Sequence, residues 1–368
     1  MTAPGPRRDT RGIVDAAELL ARVRFRRYSP APGLRPYLEH YWLIDWDLTG
    51  PYASHVVPHP SVNLVFERSE GADDLAVVSG VGLELFTKKL TGRGRVCGVQ
   101  FRPGGFRPFA PTWPVSHWTG RIVPFTEAFP AADPRDPARV LSPDDDHARV
   151  AALDAFLLAH GPTAREDPSP TAEGDHGPTA GEDHSPTAEG DHGPTAGEDH
   201  SPTAGEDHSP TAGDEHSPTA GQGPAAGQGH PATQRAAAGP GPASEGGAAA
   251  AYDPAVLAAA EQAMALVDLV RTDRDMRRVS DLARSAGLSS RSLQRLFAAH
   301  VGVGPKWVIL RYRIHEALER AEAGSATAPP DWARLAAELG YSDQAHLVRD
   351  FTATVGVPPT TYARYAQR

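Results

Sequence analysis

Sulfur and lysine are scarce in this chain of 368 residues, which has one cysteine, three methionines and three lysines. The lone Cys97 excludes an internal disulfide framework and any zinc site made only of cysteines. With 33 of the 36 basic residues arginine, the cation is almost always guanidinium, a mark of a GC-rich genome more than of a function. No uncharged apolar run reaches the roughly 18 residues of a membrane span. The opening MTAPGPRRDTRG lacks the apolar stretch of a secretory signal. A cytoplasmic protein with no membrane partner is the expectation. The largest absence is internal: residues 161–251 hold no Val, Ile, Leu, Met, Phe, Trp, Tyr or Cys. Such a segment cannot bury a core, and the chain's 40% hydrophobic content rests there on alanine.

Charge follows the same division. Residues 161–251 carry 15 acidic residues and two arginines, so the rest of a chain at −10 is slightly basic, at +3. The acidity belongs to the middle and does not exclude a nucleic-acid partner. That middle is an eight-residue repeat, SPTAEGDH, GPTAGEDH or SPTAGEDH, with histidines at His176, His184, His192, His200, His208 and His216. Its period matches neither helix nor strand, and each unit carries Pro, Gly and two acids. It reads as a disordered acidic linker, with adventitious metal capture by the spaced histidines as the alternative. A tether of this kind would join two domains without fixing their orientation.

Before it, residues 1–24 read as a loose start with a helix over 13–23. Residues 25–160 read as a β-rich, barrel-like regulatory domain. YWLIDWDL (41–48), SHVVP (54–58), VNLVFE (62–67), DLAVVSG (74–80), LELFTKKL (83–90) and RVCGVQF (95–101) are β-branched or aromatic runs punctuated by turn residues. A helix is expected over 148–160. Cys97 falls in an apolar run and reads as a small core residue. His55 and His59 are spaced as metal ligands could be, with only His40 and His117 to complete a set, and ordinary polar positions are the simpler reading. FRPGGF (101–106) reads as a glycine turn, with an anion loop using Arg102 or Arg107 as the rival. Trp42, Trp46, Trp113 and Trp118 are core residues or the walls of an effector pocket. No metal or other cofactor is expected.

After the middle the texture becomes helical. Asp253-Pro254 is an N-cap followed by Pro at N1. Leu257, Ala260, Met264, Val267 and Val270 then recur at helical spacing. The informative feature is a repeat at an offset of 54 residues: Leu293, Arg295, Phe297, Gly302, Val303 and Pro305 match Leu347, Arg349, Phe351, Gly356, Val357 and Pro359. Each copy follows a short helix ending in glycine, VSDLARSAG (279–287) and DWARLAAELG (331–340). Helix, glycine turn, second helix and a Gly-Val-x-Pro exit make a helix-turn-helix written twice.

In the first unit Leu282, Ala283, Leu288, Leu293, Leu296 and Phe297 form an apolar face, and Ser289 is placed to cap the second helix. The opposite face offers Ser290, Arg291, Gln294 and Arg295, donors suited to base edges and phosphates. Between Arg277 and Arg313 stand eight Lys and Arg against the single acid Asp281. Arg277, Arg278, Ser290, Lys306, Arg311 and Arg313 are the expected contacts to a nucleic-acid backbone. The second unit, from Asp331 on, is neutral, with four Arg and four acids. It offers Gln344, His346 and Arg349, with Asp343 a cap.

Residues 252–368 resemble the tandem helix-turn-helix domain of the AraC/XylS family of bacterial transcription regulators. The resemblance is carried by LQRLF (293–297), the long helix after Pro305, LGYSDQAHLVRDF (339–351) and VGVPPTTYAR (355–364). It implies two recognition helices in successive major-groove segments of double-stranded DNA, held by one linking helix. By position the base-facing residues are Arg291, Gln294 and Arg295 in unit one, and Gln344, His346 and Arg349 in unit two. Ala345 departs from that pattern, since it cannot donate or accept a hydrogen bond. SHVVPHPSVNLVFE (54–67) and GVGLELFTKKLTGRGRVCGVQFRPGGFRPF (80–109) resemble a regulatory domain, of unassigned ligand, that accompanies such helices. The expectation is a non-enzymatic regulator with RNA polymerase, a small effector and a second copy as further partners. The rivals are a metal-dependent barrel enzyme or an alkylation sensor with an accessory DNA-binding domain, and a purely architectural protein.

Overall fold

The computed structural model describes residues 12–162, 253–323 and 330–365. The linker expected over 161–251 lies, apart from its first two residues, outside the described residues, as does the start of the chain before Gly12. The amino-terminal part is built on one antiparallel sheet of seven strands. β1 (Ile13–Val14) and, after helix α1 (Ala16–Leu20), β2 (Val23–Tyr28) both pair with β3 (Leu38–Val56). β4 (Asn63–Ser69), β5 (Leu75–Ser79), β6 (Phe86–Phe101) and β7 (Ile122–Pro124) complete it, in the order β3-β6-β4-β5-β7.

Two sequence expectations are corrected here. The helix expected over 13–23 is only Ala16–Leu20. Ile13 and Val14 pair with Val56 and His55, and Asp15, at φ 54°, turns the chain and accepts from the Glu18 amide to cap the helix. The six separate runs are fewer, longer strands. YWLIDWDL and SHV lie in one 19-residue β3, which takes its TGP segment as a register shift between Leu48 and Tyr52. FTKKL (86–90) and RVCGVQF likewise join in the 16-residue β6, while residues 83–85 of the expected run lie before it. Its glycines are not breaks. Gly98 lies opposite Trp42 and Gly94 opposite Trp46, and a Cβ would stand 1.9 Å and 2.2 Å from those indole rings. The tryptophans lie on the sheet because these positions have no side chain.

Three helices follow: α2 (Phe125–Ala128), α3 (Asp136–Leu141) and α4 (Asp146–His160). The last is bolted to the sheet by charge. Asp146 accepts from Arg26 Nε (2.8 Å), the Tyr28 hydroxyl (2.8 Å) and Arg149 Nη2 (2.6 Å), while Arg149 also donates to Asp45 (2.9 Å). Burial alone would raise the Asp146 pKa, but the bonds from Arg26 and Tyr28 hold it down at about 2. Cys97 is a fully buried core thiol whose pKa burial pushes up to about 11.

The carboxy-terminal part is all helix: α5 (Pro254–Thr272), α6 (Val279–Ser285), α7 (Ser290–His300), α8 (Pro305–Ala323), α9 (Trp332–Glu338), α10 (Gln344–Val355) and α11 (Pro359–Tyr365). Asp253 caps α5 by accepting from Ala255 N, with Pro254 at its first position. No described helix is long and apolar enough to cross a membrane.

The two parts are not independent bodies on a tether. They fall in one compact unit, and one hydrophobic core runs from Leu43, Phe66, Val99 and Phe106 of the sheet domain to Val267, Phe297 and Ile309 of the helices. The expectation of unfixed orientation is therefore corrected: a core shared by both parts fixes it whatever the length of chain between them.

Candidate nucleic-acid interface

Each helical unit positions its second helix by local means. In the first, Leu282, Leu293 and Phe297 are fully buried, and Gly287, at φ 63°, makes the turn between α6 and α7. Ser289 caps α7, its hydroxyl accepting from Ser292 N at 3.1 Å. With that face buried, Ser290, Arg291, Gln294 and Arg295 stand exposed together. In the second unit Asp331 caps α9, accepting from Ala333 N and Arg334 N. Gly340, at φ 74°, makes the turn. Leu347 and Phe351 are buried, the latter edge-on to Trp332 and Tyr362. Asp343 caps α10 through His346 N at 2.7 Å, and that backbone bond holds its carboxyl below the usual range. Gln344, Ala345, His346 and Arg349 are exposed. His346 leans back on its own turn, 3.2 Å from Ser342 Oγ and edge-on to Tyr341.

All six residues expected to read bases are thus exposed near the starts of two equivalent helices. The six expected backbone contacts divide. Arg278, Ser290 and Lys306 are exposed. Arg277 is half-buried, donating to Arg274 O (3.0 Å) and Glu338 O (2.8 Å), and Arg313 donates to Arg277 O (2.8 Å). These two tie the first unit to the second. Arg311 is the clear correction. It is 7% exposed, lies 4.5 Å over the Trp307 ring, and points Nη2 at Leu83 O of the sheet domain (3.5 Å). Burial lowers its pKa to about 10. A guanidinium covered by another domain is not open to a phosphate.

The remaining sequence candidates take different places. The FRPGGF segment is a docking turn: Arg102 forms an ion pair with Asp268 of α5, and Arg107 donates to Ala299 O at the end of α7 (2.9 Å). His55 bonds Thr87 (2.9 Å) and His59 bonds Ser61 (2.7 Å), and no group of metal-ligating side chains occurs among the described residues. Trp118 is core and Trp113 is exposed. Trp46 is buried in a second apolar cluster with Trp42 packed against it, and both also line a cavity of about 710 Å³ on the sheet face, with Arg27, Asn63 and Gln100 of the sheet and Tyr312 and His315 of α8. The aromatic runs hinted at this cavity. That α8 closes it was not readable locally, because its two walls lie more than 200 residues apart in the chain.

Comparison with known proteins gives two family matches. Residues 26–124 match a domain of unknown function (DUF6597), and residues 282–365 match a helix-turn-helix domain. A putative AraC-like transcription regulator of Streptomyces lividans is 34% identical over 87 residues, 24% of this chain and 27% of that protein. The chain thus spans about a quarter of that relative's length. Among solved structures, the C-terminal domain of AraT, a response regulator from Geobacillus stearothermophilus, aligns over 28% of this chain and 87% of its own, with TM-score 0.25 and 18% identity. ToxT from Vibrio cholerae aligns over 88% and 97%, with TM-score 0.34 and 9% identity. Likenesses this distant carry no argument about the fold or about function.

Proposed function

We propose that the carboxy-terminal helices, which match a helix-turn-helix domain over residues 282–365, are of the AraC type, and that the chain is a sequence-specific DNA-binding transcription regulator acting without catalysis. α7 and α10 enter adjacent major-groove segments about one helical turn apart. Arg291, Gln294 and Arg295 read one half-site, and Gln344, His346 and Arg349 the other. Arginine pairs with guanine, glutamine with adenine, and Ala345 is left at most a thymine methyl. Arg278, Ser290 and Lys306 neutralise or bond phosphates. The observation that carries this reading is the pair of equivalent, serine- or aspartate-capped helices whose polar donors all face outward.

In this reading residues 25–160 are the regulatory domain, 161–251 the connection and 252–368 the DNA-binding domain. The cavity floored by Trp42 and Trp46 is the place for a small effector. Because α8 forms part of its wall, occupancy would be felt directly by the helix joining the two reading units. RNA polymerase and a second copy of the chain are the partners through which binding would become regulation, and the cytoplasm the place of action.

The test is selection of the full chain on a randomised DNA pool, followed by a salt titration. The expected result is a bipartite motif with a steep salt slope. Arg295→Ala should relax one half and Arg349→Ala the other, each by about 1–3 kcal/mol of discrimination. Binding without enrichment would leave an architectural protein, and no binding at low salt would overturn the proposal.

A further inference from the structure

The two glycines that end the recognition helices are equivalent in the 54-residue repeat, and the amino-terminal domain touches both. At Gly302, φ 93°, the carbonyl accepts from Thr119 Oγ1 at 2.8 Å. Val115 Cγ1 lies 2.9 Å from where a Cβ would stand. Three residues earlier, Ala299 O accepts from Arg107 Nη1 at 2.9 Å. At Gly356, φ 82°, it is Leu85 Cδ2 that comes within 2.9 Å of the Cβ position. Between these points the same domain holds α8, through Leu83 O to Arg311 (3.5 Å) and Pro58 O to His315 Nε2 (3.1 Å). The apolar packing is divided the same way. Phe297 of unit one belongs to the core that fills the sheet domain. Phe351 of unit two belongs to another, which takes in Val14 and Val57. The units also meet directly, where Arg277 reaches Glu338 O and packs on Gly340.

The lever arm shows why this matters. α8 has 19 residues, about 28 Å at 1.5 Å per residue. A tilt of roughly 7° at one end shifts the other by about 3.4 Å, one base step. A single helix and the contacts of two arginines, Arg277 and Arg313, are a slender guard against that, whereas a domain packed on both exits and on the middle is a stiff one.

We infer that the amino-terminal domain is a brace setting the distance and rotational phase between the two recognition helices, so that Arg107, Thr119 and Leu85 determine which half-site spacing the chain accepts. This rests on the proposed reading of DNA by α7 and α10. These three residues are specificity-determining without belonging to either recognition helix. They act on spacing, while Arg295 and Arg349 act on base identity.

The experiment uses the full chain and its selected bipartite site, with one or two base pairs inserted or removed between the halves. Wild type is expected to lose about tenfold or more in affinity on a two-base-pair change, the scale of a lost base contact. Arg107→Ala with Thr119→Val, and separately Leu85→Ala, should cut that loss to roughly threefold, with binding at the best spacing little changed. If Leu85→Ala does not fold, Thr119→Val alone, which removes only a hydroxyl, carries the test. Folded variants with the wild-type spacing profile would overturn the brace and leave the proposed function standing. A wild-type chain that bound every spacing equally would do the same. Failure to select any bipartite site would overturn both.

Discussion

His300, the last residue of α7, shows how one side chain reports on the join between the two parts of the molecule. It is 5% exposed, and burial, with a smaller push from Arg107, lowers its pKa from 6.5 to about 4. Between those two values the unfolded chain takes up a proton that the folded chain refuses. The stability this residue leaves intact is therefore complete above pH 6.5 and declines as pH falls toward 4, by at most about 3 kcal/mol. Unfolding midpoints in urea across pH 4–7 should show the decline, and His300→Gln should flatten that part of the curve. An unchanged slope in the variant would assign the acid sensitivity elsewhere. Arg311 makes the complementary point. Its place in a basic stretch made a phosphate contact the natural expectation, because a local count of charge carries no information about what covers the residue. The exposure of the positions proposed to read bases was legible for the opposite reason. Leu293 and Phe297 fix the buried face of α7 from within eleven residues, so the faces of Arg291, Gln294 and Arg295 follow from helical geometry alone.

Among the elements, β6 teaches most. Gly92, Gly94 and Gly98 look like punctuation, yet two of them are seats for indole rings on the strand opposite. Gly98→Val would set a side chain about where the Trp42 ring already lies. The expected loss is about 1–3 kcal/mol or more, with the cavity wall displaced as well. Gly50, where nothing approaches within 4 Å, is the control: Gly50→Ala should stay within about 0.5 kcal/mol. Thermal melts of the two variants side by side decide the matter, and equal melts would mean that the rings do not rest on the sheet in solution. The helices were more legible than the strands because caps such as Ser289, Asp253 and Asp343 write helix starts into neighbouring residues. Strand ends in this sheet are set by partners far away in the chain, as the joining of 41–48 with 54–56 in β3 illustrates.

At the scale of the molecule, the sheet domain shares an interior with each helical unit, and this was the feature least legible in the sequence. Composition marks the apolar-free middle so strongly that it suggests two separate bodies. Nothing in either flank announces that Phe297 and Phe106 will share an interior. The peptide connection then has a smaller task than its length suggests. Closing a longer loop costs only about 0.6 kcal/mol per doubling, a small term beside a buried apolar interface. Residues 1–162 and 253–368, made as two separate chains, should therefore find one another and co-purify as a stoichiometric pair, and the pair should melt in a single transition. Two chains that stayed apart would show that the interior is too weak to hold without the join. A pair that formed in this way would make the molecule, in effect, two partners translated as one polypeptide. Its middle could lengthen or shorten by whole octapeptides, through slippage of the repeated coding sequence, without disturbing the partnership on either side.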